Sequence, residues 1–274
     1  TLTLQSQQTS ALSGEKESRD PEKDSCRTFF CANWLCFLRT KCQIPHYDCA
    51  LPTTKFKPMS ASLNTLVIDV GHGHVKALNR YNDPLTGQFV RKVIFPSLAQ
   101  PISGANDASA SMAAGLNVVK VNVGNRWFRV GKDIDLAVDA SVERNRDDNF
   151  TRTPDYLALV HGALHYCGVQ EIDMLVVGLP LTTLASNRED LIARLKGAHE
   201  VPAFNLADAA AGKTVRVVIH EVVVLAQALG ALFAACEQEQ QLSSPSERVL
   251  ILDYGWHTLD VLASKGGRPF PHRL

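Results

Sequence analysis

The order of apolar and polar positions predicts a chain that opens with strands and then alternates helices with strands. Residues 66–70 are an apolar, β-branched run, and 75–80 and 88–95 follow as two further strands with the turn Asn82-Asp-Pro-Leu-Thr-Gly87 between them. Residues 97–115, rich in Ser, Ala, Gly and Asn, read as a loop. Residues 118–123 and 126–130 read as a hairpin turning at Gly124-Asn125. After the polar, charged stretch 142–152, Thr153-Pro154 opens a helix, with Thr as N-cap and Pro in the first turn. Leu157, Val160, Leu164 and Cys167 recur at helical spacing, and Gly168 supplies the stop. Residues 172–177 read as a buried strand ending in Gly178-Leu-Pro180. Ser186 with Glu189 forms a capping-box pattern that predicts a helix over 187–196. Residues 203–206 and 214–219 read as strands around Gly212-Lys213, 222–238 as an apolar helix and 239–247 as a polar linker. Residues 249–252 form a last strand entering Asp253-Tyr-Gly255-Trp-His-Thr258-Leu-Asp260, and 261–263 continue outward. The pattern is α/β, with two similar strand–turn–strand openings at Asp69 and Asp253.

The first 58 residues break this pattern. They are polar, charge-mixed and cysteine-rich, with no sustained period, and offer too little apolar surface to offset the entropy of ordering. The expectation is a disordered or non-native extension over 1–58, with the natural start at Met59. A first α/β domain is expected over 59–240. Residues 247–274 are expected to be the truncated start of a second domain, because the chain runs from a new strand into the turn Gly266-Gly267 and a short unpatterned tail.

Composition narrows the function classes. Apolar content of 45% and charged content of 20% are ordinary for a soluble globular protein. Lys+Arg and Asp+Glu balance at 28 each, which argues against direct binding of nucleic acid through bulk charge. No apolar run approaches the roughly 20 residues that span a bilayer. Residues 28–38 are short, flanked by Arg27 and Arg39, and preceded by a polar segment unlike a signal peptide. A cytoplasmic protein with no membrane contact is expected. Cys26, Cys31, Cys36, Cys42 and Cys49 form no C-x-x-C pair and lack a zinc-finger histidine pair.

The two openings share a chemical logic. Each places an Asp near the end of a buried strand, followed by a tight Gly-bearing turn whose backbone N–H groups suit phosphate oxygens. The Asp adds a hard oxygen ligand for Mg²⁺, direct or through water. Lys76, on the second strand of the first hairpin, sits where an ammonium reaches a phosphate. One Asp-x-Gly turn is usually only a turn; two, with helices between them, carry more. Ala211-Gly-Lys-Thr214 resembles the tail of a P-loop, but Ala207 stands where the upstream Gly is required, so it reads as a hairpin turn. His72 and His74 have metal-ligand spacing but no third ligand nearby. Phe89, Phe95, Trp127 and Phe128 read as core.

Val67-Ile-Asp69-Val-Gly71-His-Gly73-His-Val-Lys76 and Leu250-Ile-Leu-Asp253-Tyr-Gly255-Trp-His-Thr258-Leu-Asp260-Val resemble the two phosphate loops of the actin, Hsp70 and sugar-kinase superfamily. Val177-Gly178-Leu179-Pro180, and the helix opening Thr153-Pro-Asp-Tyr-Leu-Ala-Leu with its Gly162-Ala-Leu, are similar to the ParM/StbA-type actin-like ATPases of plasmid segregation, including those of PRTRC plasmid systems. The resemblance covers roughly residues 63–265. It implies an actin-like (ribonuclease H-like) domain I and the first strands of domain II, with ATP and Mg²⁺ as cofactors. By the same resemblance Asp69 and Asp253 act in catalysis and hold Mg²⁺ through water, Lys76 contacts phosphate, and Gly71, Gly73, Gly255 and Thr258 form the phosphate loops. The water-orienting position falls on Glu221, with Gln227 as runner-up; Glu221 reads equally as an acid favoured by a helix dipole. The implied partners are further copies of the chain, in ATP-dependent filaments, and an adaptor protein bound to plasmid DNA. Two alternatives stand beside this reading: a small-molecule kinase of the same superfamily, and a non-catalytic fragment or interaction module. Trp256 and His257 replace the small residues commonest in the second loop, and the family's Gly-rich adenosine motif would fall beyond Leu274.

Overall fold

Three sheets organise this computed structural model, which describes residues 26–30, 64–83, 87–104, 115–138, 142–147 and 149–270. The strand β1 (Cys26–Phe30) is followed by the meander β2 (Thr65–Val70), β3 (His74–Asp83) and β4 (Gly87–Pro96). Next come β5 (Gln100–Ile102), β6 (Val118–Val123), β7 (Arg126–Gly131) and the single turn α1 (Ile134–Ala137). The alternating part comprises α2 (Pro154–Cys167), β8 (Glu171–Leu179), α3 (Leu181–Leu195), β9 (Gly197–Pro202), α4 (Leu206–Ala210), β10 (Thr214–Ala226) and α5 (Gln227–Gln238). The last strands are β11 (Arg248–Tyr254), β12 (Leu259–Lys265) and β13 (Arg268–Pro269).

The largest sheet has the order β4-β3-β2-β8-β10-β9, with β2, β8 and β10 parallel and the rest antiparallel. A second sheet has the order β1-β11-β12-β13, and a small one the order β5-β7-β6. The two larger sheets open alike: a three-stranded antiparallel meander whose first strand takes a parallel neighbour, β8 beside β2 and β1 beside β11.

The core lies between the large sheet, α2 and the β6–β7 hairpin. Leu66, Ile68, Leu175 and Val177 from the sheet meet Leu159, Val160 and Ala163 of α2, with Phe128 and Val130 on the far side. Local chemistry fixes α2 as read from sequence. Thr153 Oγ1 accepts from the Tyr156 N–H at 3.3 Å, Pro154 opens the first turn, and Gly168 at φ 68° ends it. Gly162 lets the hairpin approach: a Cβ there would lie 2.8 Å from Val130 Cγ2. The β6–β7 turn has Gly124 and Asn125 at φ 54° and 68°, as a two-residue hairpin turn requires. Phe95 and Phe128 are buried in the core and Trp127 is half-buried.

Four elements differ from the sequence-based expectation. α3 starts at Leu181, so the Ser186 capping pattern lies inside the helix, where the Ser186 hydroxyl donates to the Thr183 carbonyl at 3.2 Å. The chain leaves β8 at Pro180, and Leu184, Leu191, Ile192 and Leu195 then share one face against the core. β10 extends through Ala226, so residues 222–226 are strand rather than helix. This β-branched run pairs with β8, and Val222, Val224 and Ala226 alternate with the half-buried Val223 and Leu225. The antiparallel partner of 214–219 is β9 rather than 203–206. The Asn205 side chain instead accepts from the Asp208 N–H at 2.8 Å and caps α4. Within the segment expected to be disordered or non-native, Cys26–Phe30 forms β1, which runs parallel to Arg248–Leu252. The rest of that segment, including the start expected at Met59, lies outside the described residues, as do 105–114 of the expected loop and the tail 271–274. The expected boundary at 240 groups α5 with the first domain; its buried Ala228, Ala231 and Leu232 pack with Val249, Ile251 and Leu262 of the second sheet. Among the described residues no helix is long and apolar enough to cross a membrane.

A pH dependence follows from the α2–β9 contact. His161 of α2 is buried against His199, Nε2 to Nδ1 at 3.3 Å, while His199 Nε2 donates to the Leu195 carbonyl at 2.9 Å. Burial, then the neighbouring imidazole, holds His161 neutral and lowers its pKa from 6.5 to about 3. The unfolded chain therefore binds the extra proton first. Stability is complete above pH ~6.5 and falls as pH drops toward 3, by up to about 1.4 kcal/mol per pH unit. Urea midpoints measured from neutral pH downward are expected to show this fall, and His161→Gln is expected to flatten it.

Candidate functional site

Two hairpins of one geometry meet at the site. In the first, Asp69 pairs with Lys76 and Val70 with Val75, and the tip closes with the Gly71 N–H donating to the His74 carbonyl at 3.3 Å. In the second, Asp253 pairs with Asp260 and Tyr254 with Leu259, and the Gly255 N–H donates to the Thr258 carbonyl at 2.8 Å. Asp69 and Asp253 thus hold equivalent positions. Their cross-strand partners differ in charge: a lysine in one hairpin, an aspartate in the other.

The tips line a cleft of about 280 Å³. Gly178, Pro180, Thr182 and Thr183 line it from the β8–α3 junction, Gln227 from the start of α5, and Asp147, Phe150 and Thr151 from the segment before α2. The cleft receives the N-terminal ends of two long helices, α3 and α5, whose first N–H groups have no partner within the helix. Both ends are tied to the hairpins. Gln227 Nε2 donates to Asp69 Oδ1 at 2.9 Å, and the Leu181 backbone N–H bonds the Asp260 carboxylate.

Negative charge is in excess here. Asp69 is 6% exposed, and burial pushes its pKa up; Lys76 Nζ at 3.7 Å and Gln227 pull it back, while Asp253 pushes it further up. Burial raises Asp253 against the pull of Lys76. Burial and then Asp253 raise Asp260, against the Leu181 N–H. Asp69 and Asp253 thus share the Lys76 ammonium, and Asp260 adds a third carboxylate beside Asp253, an arrangement that a cation would relieve. Among the described residues no three His, Cys, Asp or Glu side chains converge as direct metal ligands. The donor set suits a hydrated divalent cation such as Mg²⁺, which keeps much of its water shell and is held by one or two carboxylates plus phosphate.

Asp69, Gly71, Gly73, Lys76, Asp253, Gly255 and Thr258 all line this cleft. Glu221 does not. It is exposed in the middle of β10, opposite Met174, because β10 continues for five residues beyond it. The helix start expected beside Glu221 falls at Gln227, which lies in the cleft. His72 and His74 do not converge: His72 Nδ1 donates to the Asn145 carbonyl at 3.0 Å and its ring stacks on Phe150, while His74 is exposed. Sequence reading assigned no role to Asp260, Thr182 or Thr183. Asp260 stands in its motif at the offset from Asp253 that Lys76 has from Asp69, so the hairpin register was the available clue.

Residues 67–230 match the family model described as the N-terminal domain of actin-like proteins. No curated protein matches the chain significantly. Among solved structures, an archaeal actin homolog, Ta0583, aligns with TM-score 0.56 and 19% identity over 76% of this chain and 59% of its own. The actin-like protein Alp7A aligns with TM-score 0.56 and 15% identity over 76% and 58%. A ParM from Clostridium botulinum, solved as a 15-stranded filament, aligns with TM-score 0.51 and 20% identity over 76% and 61%. The chain spans about three fifths of the length of these structures. At such identities the likeness establishes the fold, an actin-like ATPase fold of mixed α/β content with a mixed large sheet.

The charge excess yields a prediction. Because Asp69 is more acidic in the unfolded chain than in the fold, its ionised form weakens the fold above its ordinary pKa of 3.8. Asp69→Asn is expected to raise the urea midpoint at neutral pH while removing any Mg²⁺-dependent stabilisation of the chain. An unchanged or lower midpoint would show that Lys76 and Gln227 already compensate the buried charge.

Proposed function

The chain belongs to the actin-like proteins, and on that premise we propose that its cleft binds the phosphates of ATP together with Mg²⁺. The observation that carries this reading is the pair Asp69 and Asp253, set at equivalent positions of two matching hairpins that line one cleft. Mg²⁺, when bound, neutralises charge on the phosphate oxygens. Asp69 and Asp253 hold its water shell, and Lys76 contacts phosphate directly. Backbone N–H groups of the two tips cradle the remaining oxygens. In this reading Gln227 takes the water-orienting role in place of the exposed Glu221, supported by its position in the cleft and its amide contact with Asp69.

The wider role within this reading is ATP-dependent self-association into filaments that partition plasmid DNA, as an ATPase of the ParM/StbA type. The finer resemblance is to the actin-like protein D of PRTRC plasmid systems. The solved Clostridium botulinum ParM filament supports self-association. The balance of 28 basic and 28 acidic residues favours contact with plasmid DNA through an adaptor protein over direct binding. The place of action in this reading is the cytoplasm.

Calorimetric titration with Mg-ATP tests the site. Wild type is expected to bind, and Asp69→Ala and Asp253→Ala are each expected to lose about tenfold or more in affinity, the scale of one charged hydrogen-bond partner. Absence of binding by wild type would refute the reading. Sedimentation with and without Mg-ATP tests assembly. Pelleting that depends on nucleotide supports the filament role; phosphate transfer to a sugar or acid without pelleting would favour a kinase.

A further inference from the structure

We propose that Trp256, gripped between Arg144 and Arg146, is a latch that must lift off Gly73 before a polyphosphate can enter between the hairpin tips. The inference rests on the phosphate-binding reading above. Trp256 occupies the tip position in the second hairpin that His72 holds in the first. It reaches across to the first hairpin and lies directly on Gly73. A Cβ at Gly73 would be 2.7 Å from Trp256 Cβ and 3.0 Å from its Cγ, so only glycine leaves room for the indole.

Two arginines complete the grip. The guanidinium carbons of Arg144 and Arg146 each lie 5.4 Å from the Trp256 ring centroid. Arg144 also touches the other tip, since its Nε–H donates to the Gly73 carbonyl at 3.3 Å. Asn145, between them, anchors the segment: its amide donates to Asp155 Oδ2 at 3.0 Å and its carbonyl accepts from His72 Nδ1 at 3.0 Å. His257 adds a second bridge, edge-on to His72 at 5.5 Å. The segment 142–147 is therefore a strap that joins both tips at the cleft mouth.

Burial does not account for this arrangement, because Trp256 is 53% exposed. What holds the indole is the close seat on Gly73 and two cation–π contacts, each weak enough to open thermally. Arg144 also pairs with Asp135 Oδ1 at 3.4 Å, so it is Arg146 to which a polyphosphate approaching the tips offers a stronger, charge-assisted partner than the indole face. The fraction of molecules in which the indole is lifted sets the rate of capture and lowers apparent affinity by that fraction.

Stopped-flow association of a fluorescent Mg-ATP analogue with the full chain tests the latch. Trp256→Ala and Trp256→Leu are each expected to associate about tenfold faster than wild type, the change produced when a minor open state becomes dominant. Trp256→Leu, which loses the cation–π contacts but keeps apolar bulk, serves as the second variant should Trp256→Ala fold poorly. Rates equal to wild type in folded variants would overturn the latch and leave the phosphate site standing. No binding by wild type or any variant would overturn the phosphate site itself. Quenching of tryptophan emission by neutral acrylamide without nucleotide, with Trp34 and Trp127 replaced by Phe so that only Trp256 emits, then judges the tip contact alone. The double variant Arg144→Gln/Arg146→Gln is expected to quench more than wild type, and equal quenching would overturn the grip.

Discussion

A carboxylate buried near the end of a central strand is costly unless something faces it, and Asp69 is such a group. β2 is buried along its whole length, and Asp69 is fixed by its pairing with Lys76 of β3 directly after Ile68, the last residue paired with β8. The surrounding structure answers its charge from two directions, Lys76 across the strand and Gln227 from the head of α5, and the cleft lies on the remaining side. These two do not suffice, since the pKa of Asp69 stays raised. The cleft leaves that charge open to a ligand, and for this reason it reads as a ligand site rather than a packing defect.

The second hairpin repeats the geometry of the first but not its charge. Where Lys76 partners Asp69, Asp260 partners Asp253, and Asp260 turns to the N–H at the start of α3. One hairpin is thus balanced by a cation and the other by a helix end. This couples the two sheets. Leu181 packs beside the α5 cluster of the second sheet, while Leu184, Ile192 and Leu195 of the same helix pack on the core of the first. A shift of one hairpin against the other would move α3 as well, so cleft geometry and packing between the sheets are linked.

The tip contact has a different physical character. Core contacts such as Gly162 against Val130 are enclosed and rigid, whereas the Trp256 seat on Gly73 faces solvent and is held by charged side chains from a short irregular segment. The molecule therefore places rigid groups, Asp69 and Lys76, at the base of the cleft and an openable contact at its mouth.

Local turn chemistry made much of this legible from sequence. Gly124-Asn125, the Thr153 cap, the Gly168 stop and both Asp-bearing hairpins depend on residues close together in the chain, so the sequence alone determined them. Elements set by long-range pairing were not legible. Residues 222–226 are apolar enough for helix or strand, and pairing with β8 decided for strand. That decision moved the helix start to Gln227, left Glu221 exposed and brought an amide rather than a carboxylate to Asp69. β9 carries little apolar signal and becomes a strand through its backbone bonds to β10. Arg144 and Arg146 meet Trp256 only because two hairpins and a strap converge in space. Sequence determined the chemistry that each turn can carry. Tertiary structure decided which of those groups face one another, because burial and strand register act between residues that the chain does not bring together by itself.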